Sequence, residues 1–246
     1  MEFENKIVIV TGGAQGIGAS IVRQFLKLGA QVHVLDKFIP EDFNQSKIPG
    51  LFGMTCDVSI SKDVQKCVDG IIKNHHQIDI LINNAGIIRD NVIWKMQESE
   101  FDDVISVNLK GPWLMCREVA PHMKKQKYGR IINIVSRAWL GNVGQSNYSS
   151  SKGGLVSMTR VLALELAKHN ITVNAVAPGL IDTPMTRKLD PAVFQRLEAA
   201  LPCKKAGKPE DIAHAVTFLS SNHAKFINGQ VLHVDGGRSL TGTSLS

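Results

Sequence analysis

Three side chains in the stretch from Asn133 to Lys152 can work together on one carbonyl or alcohol oxygen: Ser136, Tyr148 and Lys152. Tyr148 and Lys152 are four residues apart, so on a helix they share a face, one turn above the other. A free phenol has a pKa near ~10, which leaves about one molecule in a thousand ionised at neutral pH. An ammonium roughly 6 Å away, at an effective dielectric near 20, favours the phenolate by on the order of 2–3 kcal/mol. That is about two pKa units. With a second cation nearby to supply the rest, such a tyrosine passes a proton to and from a substrate oxygen near neutral pH. Tyr-x-x-x-Lys also arises by chance as a weak pair on surface helices, so its neighbours along the chain decide its meaning.

The elements that must position these groups alternate between strand and helix. Lys6–Thr11 is a short β-branched run that leads into Gly12-Gly13-Ala14-Gln15-Gly16-Ile17-Gly18, and an amphipathic helix follows over Ile17–Leu28, stopped by Gly29. Gln31–Asp36 reads as a second strand ending on an acid, and Lys37–Gly50, broken by Pro40 and Pro49, as loop. Further strands are expected at Leu51–Cys56, Asp79–Ile82, Arg130–Val135, Ile171–Ala177 and Gln230–Val234. Helices are expected at Ser61–Asn74, Glu98–Lys125 (disturbed at Pro112 and Pro121), Tyr148–Lys168 and Pro209–Ser221, with a helical loop region over Thr183–Leu201. Strands separated by helices of about ten or more residues demand a parallel sheet with helices on both faces. The pattern predicts one α/β, doubly wound domain over 1–246, built on a seven-stranded parallel sheet.

Composition narrows the function classes. The chain of 246 residues is 43% hydrophobic and 20% charged, ordinary for a soluble globular domain. It contains no run of about 18 apolar residues, and its first residues lack the basic-then-apolar profile of a signal peptide, so neither a membrane span nor export is expected and a cytoplasmic location is the default. Cys56, Cys67, Cys116 and Cys203 are widely spaced with no Cys-x-x-Cys pair, which argues against a metal site or a disulfide framework. The net charge of +6 gathers in two short clusters, Lys124/Lys125/Lys127/Arg130 and Lys204/Lys205/Lys208. Neither is interleaved with aromatics, so a solvated face or a phosphorylated ligand fits them better than nucleic acid.

Gly12-x-x-x-Gly16-x-Gly18 lies between a strand and a helix, where missing Cβ atoms let the backbone approach a pyrophosphate and the helix N-terminus supplies partial positive charge. Asp36 closes the next strand, eighteen residues after Gly18. An acid there accepts both hydroxyls of an adenosine ribose and repels a 2′-phosphate, which favours NAD over NADP, although Lys37 beside it pulls the other way. Asp36 is also an ordinary strand-end turn residue.

Together these features resemble the short-chain dehydrogenase/reductase family over Lys6 to Gly237. The resemblance rests on Thr11-Gly12-x-x-x-Gly16-Ile17-Gly18, Asp57, Asn83-Asn84-Ala85-Gly86, Asn108, Ser136, Tyr148-x-x-x-Lys152, Pro178-Gly179 and Gly229-Gln230-x-x-x-Val234-Asp235-Gly236-Gly237. It implies a Rossmann-type fold in which Gly12, Gln15, Gly16, Ile17 and Gly18 bind the dinucleotide, with Asp57 and Val58 near the adenine. Asn84, Ala85 and Gly86 would line the adenosine side, and Pro178, Gly179, Ile181 and Thr183 the nicotinamide. Tyr148 would be the general acid/base, Lys152 would hold the nicotinamide ribose and acidify Tyr148, and Ser136 would bond the substrate oxygen. Asn108 would kink its helix and support a water leading from Lys152 to solvent.

The resemblance further implies a small alcohol or ketone substrate under a lid of about 180–201, and a homotetramer. Two other readings stand beside it, a 3-oxoacyl-thioester reductase and a non-catalytic nucleotide-binding protein. Ser136 and Tyr148 are twelve residues apart, one fewer than is common in the most similar-looking relatives, which bears on the substrate loop. Trp139 within that loop reads equally as a pocket wall or as surface packing. Trp94, His122 and Met185 read as packing or surface residues.

Overall fold

The β-branched run Ile7–Thr11 is buried at every position and forms strand β1. In the computed structural model, which describes residues 1–41, 43 and 47–240, it is followed by α1 (Gly16–Lys27), β2 (Gln31–Asp36), β3 (Leu51–Thr55), α2 (Ser61–His75) and β4 (Ile80–Asn83). Then come α3 (Glu98–Ile105), α4 (Gly111–Gln126), β5 (Gly129–Ile134), α5 (Ser146–Leu166), β6 (Ile171–Pro178), α6 (Pro191–Ala199), α7 (Pro209–Ser220) and β7 (Val231–Val234). The expected loop over 37–50 is irregular at its described residues; 42 and 44–46 lie outside them, as do 241–246.

All seven strands join one sheet in the order β3-β2-β1-β4-β5-β6-β7, and every neighbouring pair is parallel. The fold class read from the sequence is therefore the observed one. Chain order reverses at β1, which pairs with β2 on one side and β4 on the other through Val10↔Val34 and Val10↔Ile82. The chain leaving β1 enters α1 on one face of the sheet and the chain leaving β4 leads to α4 on the other, so the carboxyl ends of these strands border a crevice.

Alternation within each strand builds two cores. Val8, Val10, Val32, Val34, Ile80 and Ile82 face α1 and α7, where Ile21, Phe25, Ile212 and Val216 meet them. Ile7, Ile9, Leu81, Ile131 and Val173 point the other way, onto Val68 and Ile71 of α2, Leu114 and Val119 of α4 and Leu166 of α5. At about 1.5–3 kcal/mol for each buried aliphatic side chain, these layers fix the helices on which the site is built.

The helix expected over Glu98–Lys125 is interrupted. Between α3 and α4 the residues Ser106–Lys110 form a π-helical turn, closed by a bond from the Gly111 N–H to the Ser106 carbonyl. Pro112 supplies a physical reason. It has no N–H to donate, and in an α-helix its ring would press on the carbonyl four residues back, that of Asn108. Widening the turn relieves the clash and leaves the Asn108 carbonyl without its helical donor. Pro121, in contrast, sits inside α4 without ending it.

Candidate active site

The loops after β1 and β4 are sewn together before any ligand is considered. The Thr11 hydroxyl accepts the N–H groups of Asn84 and Ala85 at 3.0 and 3.1 Å, while the Asn84 Nδ2 donates to the carbonyls of Thr11 and Gly12 at 3.0 and 2.8 Å. Space is so limited that a Cβ on Gly12 would sit 2.8 Å from the Ala85 Cα, and one on Gly18 would run into the Gly12 carbonyl oxygen. Gly16, by contrast, opens outward, its nearest neighbour across the gap being the Thr183 Cβ at 4.0 Å. The first turn of α1 carries no acidic residue and its N-cap, Gln15, makes no side-chain bond, so the leading N–H groups of Gly16, Ile17 and Gly18 are uncapped by side chains. A cradle with open glycine surface and uncapped helix donors fits a dinucleotide pyrophosphate.

Asp36 sits beside this cradle. Its Oδ2 accepts the Ala14 N–H at 3.2 Å and its Oδ1 the Phe38 N–H at 3.5 Å, which holds the carboxylate at the end of β2. Lys37 turns away from it, with its Nζ 2.8 Å from the Asp57 Oδ2. Partial burial raises the Asp57 carboxyl, but Lys37 and the Ser59 hydroxyl and amide outweigh it and leave it below its ordinary value. Val58, next in sequence, is buried against Gly111, which has no Cβ to obstruct it.

On the other side of the crevice Ser136 leaves β5, and Tyr148 and Lys152 lie on α5 one turn apart. The Lys152 amine is buried, 3% exposed, and its Nζ donates to the Ile134 carbonyl at 2.8 Å and stands 5.6 Å from the Tyr148 ring centre. Burial alone pushes this amine down to about 8. Burial also dominates at Tyr148, raising its phenol to about 12; a hydrogen bond with Ser136 opposes the rise and the charge of Asp90 adds to it. Burial is thus a contribution that the charge argument for an acidified Tyr148 leaves out, and Lys152 and a second cation must work against it. The twelve-residue spacing does not separate Ser136 from Tyr148, since the turn takes it up at Gly141 and Gly144, both at positive φ (106 and 78).

Asn108 is fully buried, and its side chain pairs with the Ile87 backbone like a short strand, accepting its N–H at 2.8 Å and donating to its carbonyl at 3.0 Å. It therefore clamps the segment carrying Gly86, whose missing Cβ would lie 3.4 Å from the Asn108 Oδ1 and 3.6 Å from the Lys152 Nζ. The Asn108 Nδ2 also donates to the Ser151 Oγ at 3.3 Å, which ties this clamp to the helix turn that carries Lys152.

Pro178 closes β6. Gly179 donates to the Val234 carbonyl at 3.0 Å, and Ile181 bridges to Gly207. The Thr183 and Thr186 side chains bond each other and the surrounding backbone, and Asp182 and Arg187 form a two-point ion pair at 2.6 and 2.9 Å. The segment expected as a lid thus carries Thr183 over Gly16 and continues into α6, capped by Asp190. A separate cleft of about 420 Å³ opens between Asn91–Trp94 and Gly141–Ser146. Its lining includes no residue of the expected lid, 180–201.

Sequence reasoning missed several long-range partnerships, including those of Thr11 and Asn83, which it had quoted only as motif residues. Thr11 ties two loops across 73 residues, Asn147 reaches the carbonyls of Arg89 and Glu100, and Asn83, Asn133 and Thr159 form a buried polar chain at 2.8 and 2.9 Å. Asp90, whose carboxyl is raised by burial against an opposing bond from Gln145, was likewise not singled out. Trp139 is half-buried with its ring 6.2 Å from that of His233, whereas Trp94 is 78% exposed. Among the described residues no group of three or more His, Cys, Asp or Glu side chains is placed to hold a metal, and no helix is long and apolar enough to cross a membrane.

A crevice at a sheet reversal, with phosphate-sized room on one side and a Ser–Tyr–Lys set on the other, defines a dinucleotide-dependent oxidoreductase of CH–OH or keto groups. Comparison with known proteins agrees. A family model described as enoyl-(acyl carrier protein) reductase matches residues 12–239. The chain is 42% identical over 246 residues to the BbsD subunit of (2S)-((R)-hydroxy(phenyl)methyl)succinyl-CoA dehydrogenase from Thauera aromatica, covering 98% of this chain and 99% of that one. It is 39% identical to the 3-oxoacyl-(acyl-carrier-protein) reductase FabG of Thermotoga maritima over 96% of this chain and 99% of that one. The crystal structure of levodione reductase superposes with a TM-score of 0.91 at 31% identity, covering 97% of this chain and 99% of that one. The protein belongs to the short-chain dehydrogenase/reductase family.

Proposed function

We propose that the protein is an NAD(H)-dependent oxidoreductase that interconverts a secondary alcohol and a ketone. The observation that carries the cofactor preference is the pairing at the end of β2. Asp36 is fixed beside the glycine loop, where it meets ribose hydroxyls and repels a 2′-phosphate, and Lys37 is diverted onto Asp57 at 2.8 Å. The nicotinamide supplies the hydride acceptor or donor. In the oxidative direction Tyr148, as the phenolate, would accept the hydroxyl proton while Ser136 held the oxygen, and a bound nicotinamide would take up the carbinol hydride.

Gly12, Gln15, Gly16, Ile17 and Gly18 hold the pyrophosphate, Asp57 and Val58 flank the adenine, and Asn84, Ala85 and Gly86 line the adenosine side. Pro178, Gly179, Ile181 and Thr183 border the nicotinamide. Ser136 donates to the substrate oxygen, and Lys152 holds the nicotinamide ribose. Both Lys152 and a bound cationic ring act against the burial that holds the Tyr148 phenol up at about 12, and so bring it into a working range. Segment 180–201 serves as the lid. The pairing of this chain with further copies into a homotetramer is supported by apolar side chains exposed on two faces, Trp113, Val161 and Leu164 on α4 and α5, and Phe218, Phe226 and Leu232 around α7 and β7.

A second reading, an acyl-thioester reductase or dehydrogenase, is favoured by the relatives, since one is named for a 3-oxoacyl carrier protein and another for a succinyl-CoA derivative. Paired assays with NADH and NADPH separate the two, using simple ketones, diols and hydroxy acids against an acetoacetyl thioester. Efficient turnover of the thioester with NADPH alone would replace the first reading by the second.

A further inference from the structure

Arg137 follows Ser136 directly and opens the helical turn Arg137–Leu140. It is half-buried, its Nε is shielded from solvent with no acceptor, and among the described residues it makes no ion pair. A partly buried guanidinium without an anion is unfavourable, so such an arrangement persists where a ligand completes it. The carboxylate of Asp235, whose charge acts on Arg137, is engaged elsewhere. The Asp235 Oδ1 accepts the Gly237 N–H at 3.0 Å, the Oδ2 accepts the Ser239 N–H at 2.7 Å, and His233 Nδ1 lies 3.8 Å from the Oδ2. Burial, then the like charge of Arg238, weakens the hold of Arg137 on its proton, and Asp235 only partly offsets them. Two positions on, the Trp139 Nε1–H is a second buried donor with no acceptor.

This cluster borders the reacting centre. The loop bearing Asp235 packs on the turn after β6, so that a Cβ on Gly179 would meet the Asp235 Cα at 2.7 Å, and Cys203, just beyond the lid, packs against Gly236. Arg137 thus shares an edge of the crevice with Ser136, Gly179 and the end of the lid.

We propose that Arg137, with Trp139 beside it and Arg238 adding positive charge, forms an anion-recognition subsite, and that the substrate is an oxo or hydroxy acid carrying a free carboxylate a few bonds from the reacting carbon. A guanidinium fork takes a carboxylate through two parallel bonds, which fixes orientation as well as affinity. The Trp139 face offers an apolar wall for the carbon chain in between. This inference rests on the oxidoreductase reading and names its substrate class.

The test uses the full chain with NAD⁺ bound. Glutarate and its dimethyl ester serve as unreactive probes in thermal-shift titrations, and acetoacetate, levulinate and their methyl esters serve as substrates with NADH. Glutarate is expected to raise the Tm and the diester not to, and Arg137→Gln is expected to weaken glutarate binding and reduce the acid-over-ester ratio of kcat/KM by at least about tenfold. Arg137→Lys should recover part of both. If Arg137→Gln fails to fold, Arg137→Lys and the wild-type acid/ester ratio carry the test. The proposal is overturned if wild type prefers the esters, if Arg137→Gln binds glutarate as wild type does, or if the variant changes only the assembly mass, which would make Arg137 a subunit contact. Turnover of neutral ketones without any acid preference sinks the subsite and leaves the oxidoreductase reading intact. No turnover of any alcohol or ketone with either dinucleotide sinks that reading instead, while the glutarate titration still reports on Arg137.

Discussion

Replacing Asp36 by Asn isolates charge from hydrogen bonding at the cofactor end. The amide oxygen of Asn can still accept the Ala14 N–H that Asp36 accepts at 3.2 Å, so the glycine loop keeps its support. What is lost is repulsion of a 2′-phosphate. At a separation of about 5 Å and an effective dielectric near 20, that repulsion is worth ~3 kcal/mol per unit of phosphate charge. Salt reduces it, since the site is open to solvent. A residue of about 1.5–3 kcal/mol corresponds to a shift of roughly 10- to 100-fold in the ratio of kcat/KM for NADPH over NADH. Lys37 adds a second handle. Its pair with Asp57 is largely exposed on the lysine side, 65% against 21%, and pairs of that kind contribute at most about 1 kcal/mol. Adding Asp57→Asn frees Lys37 for the phosphate and should move the ratio further by a few fold. Initial rates with both reduced dinucleotides against one ketone provide the assay. A ratio unchanged in Asp36→Asn would refute the assignment of Asp36 as the group that selects NAD.

Three other perturbations follow from the geometry. Burial holds the Lys152 amine at about 8 against 10.5 in an unfolded chain, so between those values the unfolded state binds more protons and stability rises with pH. Lys152→Met should therefore abolish turnover yet stabilise the fold at about pH 7, by up to about 3 kcal/mol, with the gain shrinking as pH climbs above about 8. Urea melts at several pH values check this, and a pH-independent gain would count against it. Asn108→Ala strands the Ile87 N–H and carbonyl, now bonded at 2.8 and 3.0 Å, and should lower stability by on the order of 2–4 kcal/mol in urea melts; a change below about 1 kcal/mol would mean that the clamp is dispensable. Gly18→Ala places a Cβ on the Gly12 carbonyl and should abolish NADH binding in fluorescence titrations, whereas retained binding would show that the loop can yield.

Much of the fold was legible because its signals are local. The alternation of apolar runs with amphipathic stretches gave the seven strands and their parallel pairing, and Gly12, Gly16 and Gly18 lie between β1 and α1 where spacing put them. Tyr148 and Lys152 share a helix face for the same reason. Long-range chemistry was less accessible. No pattern near Thr11 or Asn147 announces partners 73, 58 and 47 residues away, since any polar residue at a strand or helix end looks alike in sequence. The surroundings of Tyr148 were only half legible because a pairwise charge estimate omits burial, which only the folded surroundings set. Pro112 was visible as a disturbance, yet its outcome, a π turn that continues into α4 where a break was equally open to it, depends on packing on both sides.

The central claim is that Tyr148 moves the proton while the rest of the crevice holds dinucleotide and substrate. Its most direct measurement is Tyr148→Phe, with NADH affinity and turnover read on the same preparation. Removing the hydroxyl leaves the ring and the Lys152 bond to Ile134 in place, so NADH affinity should stay within a few fold while kcat drops by about 10²–10⁴. A variant that binds NADH normally and keeps more than about a tenth of its turnover would contradict the account.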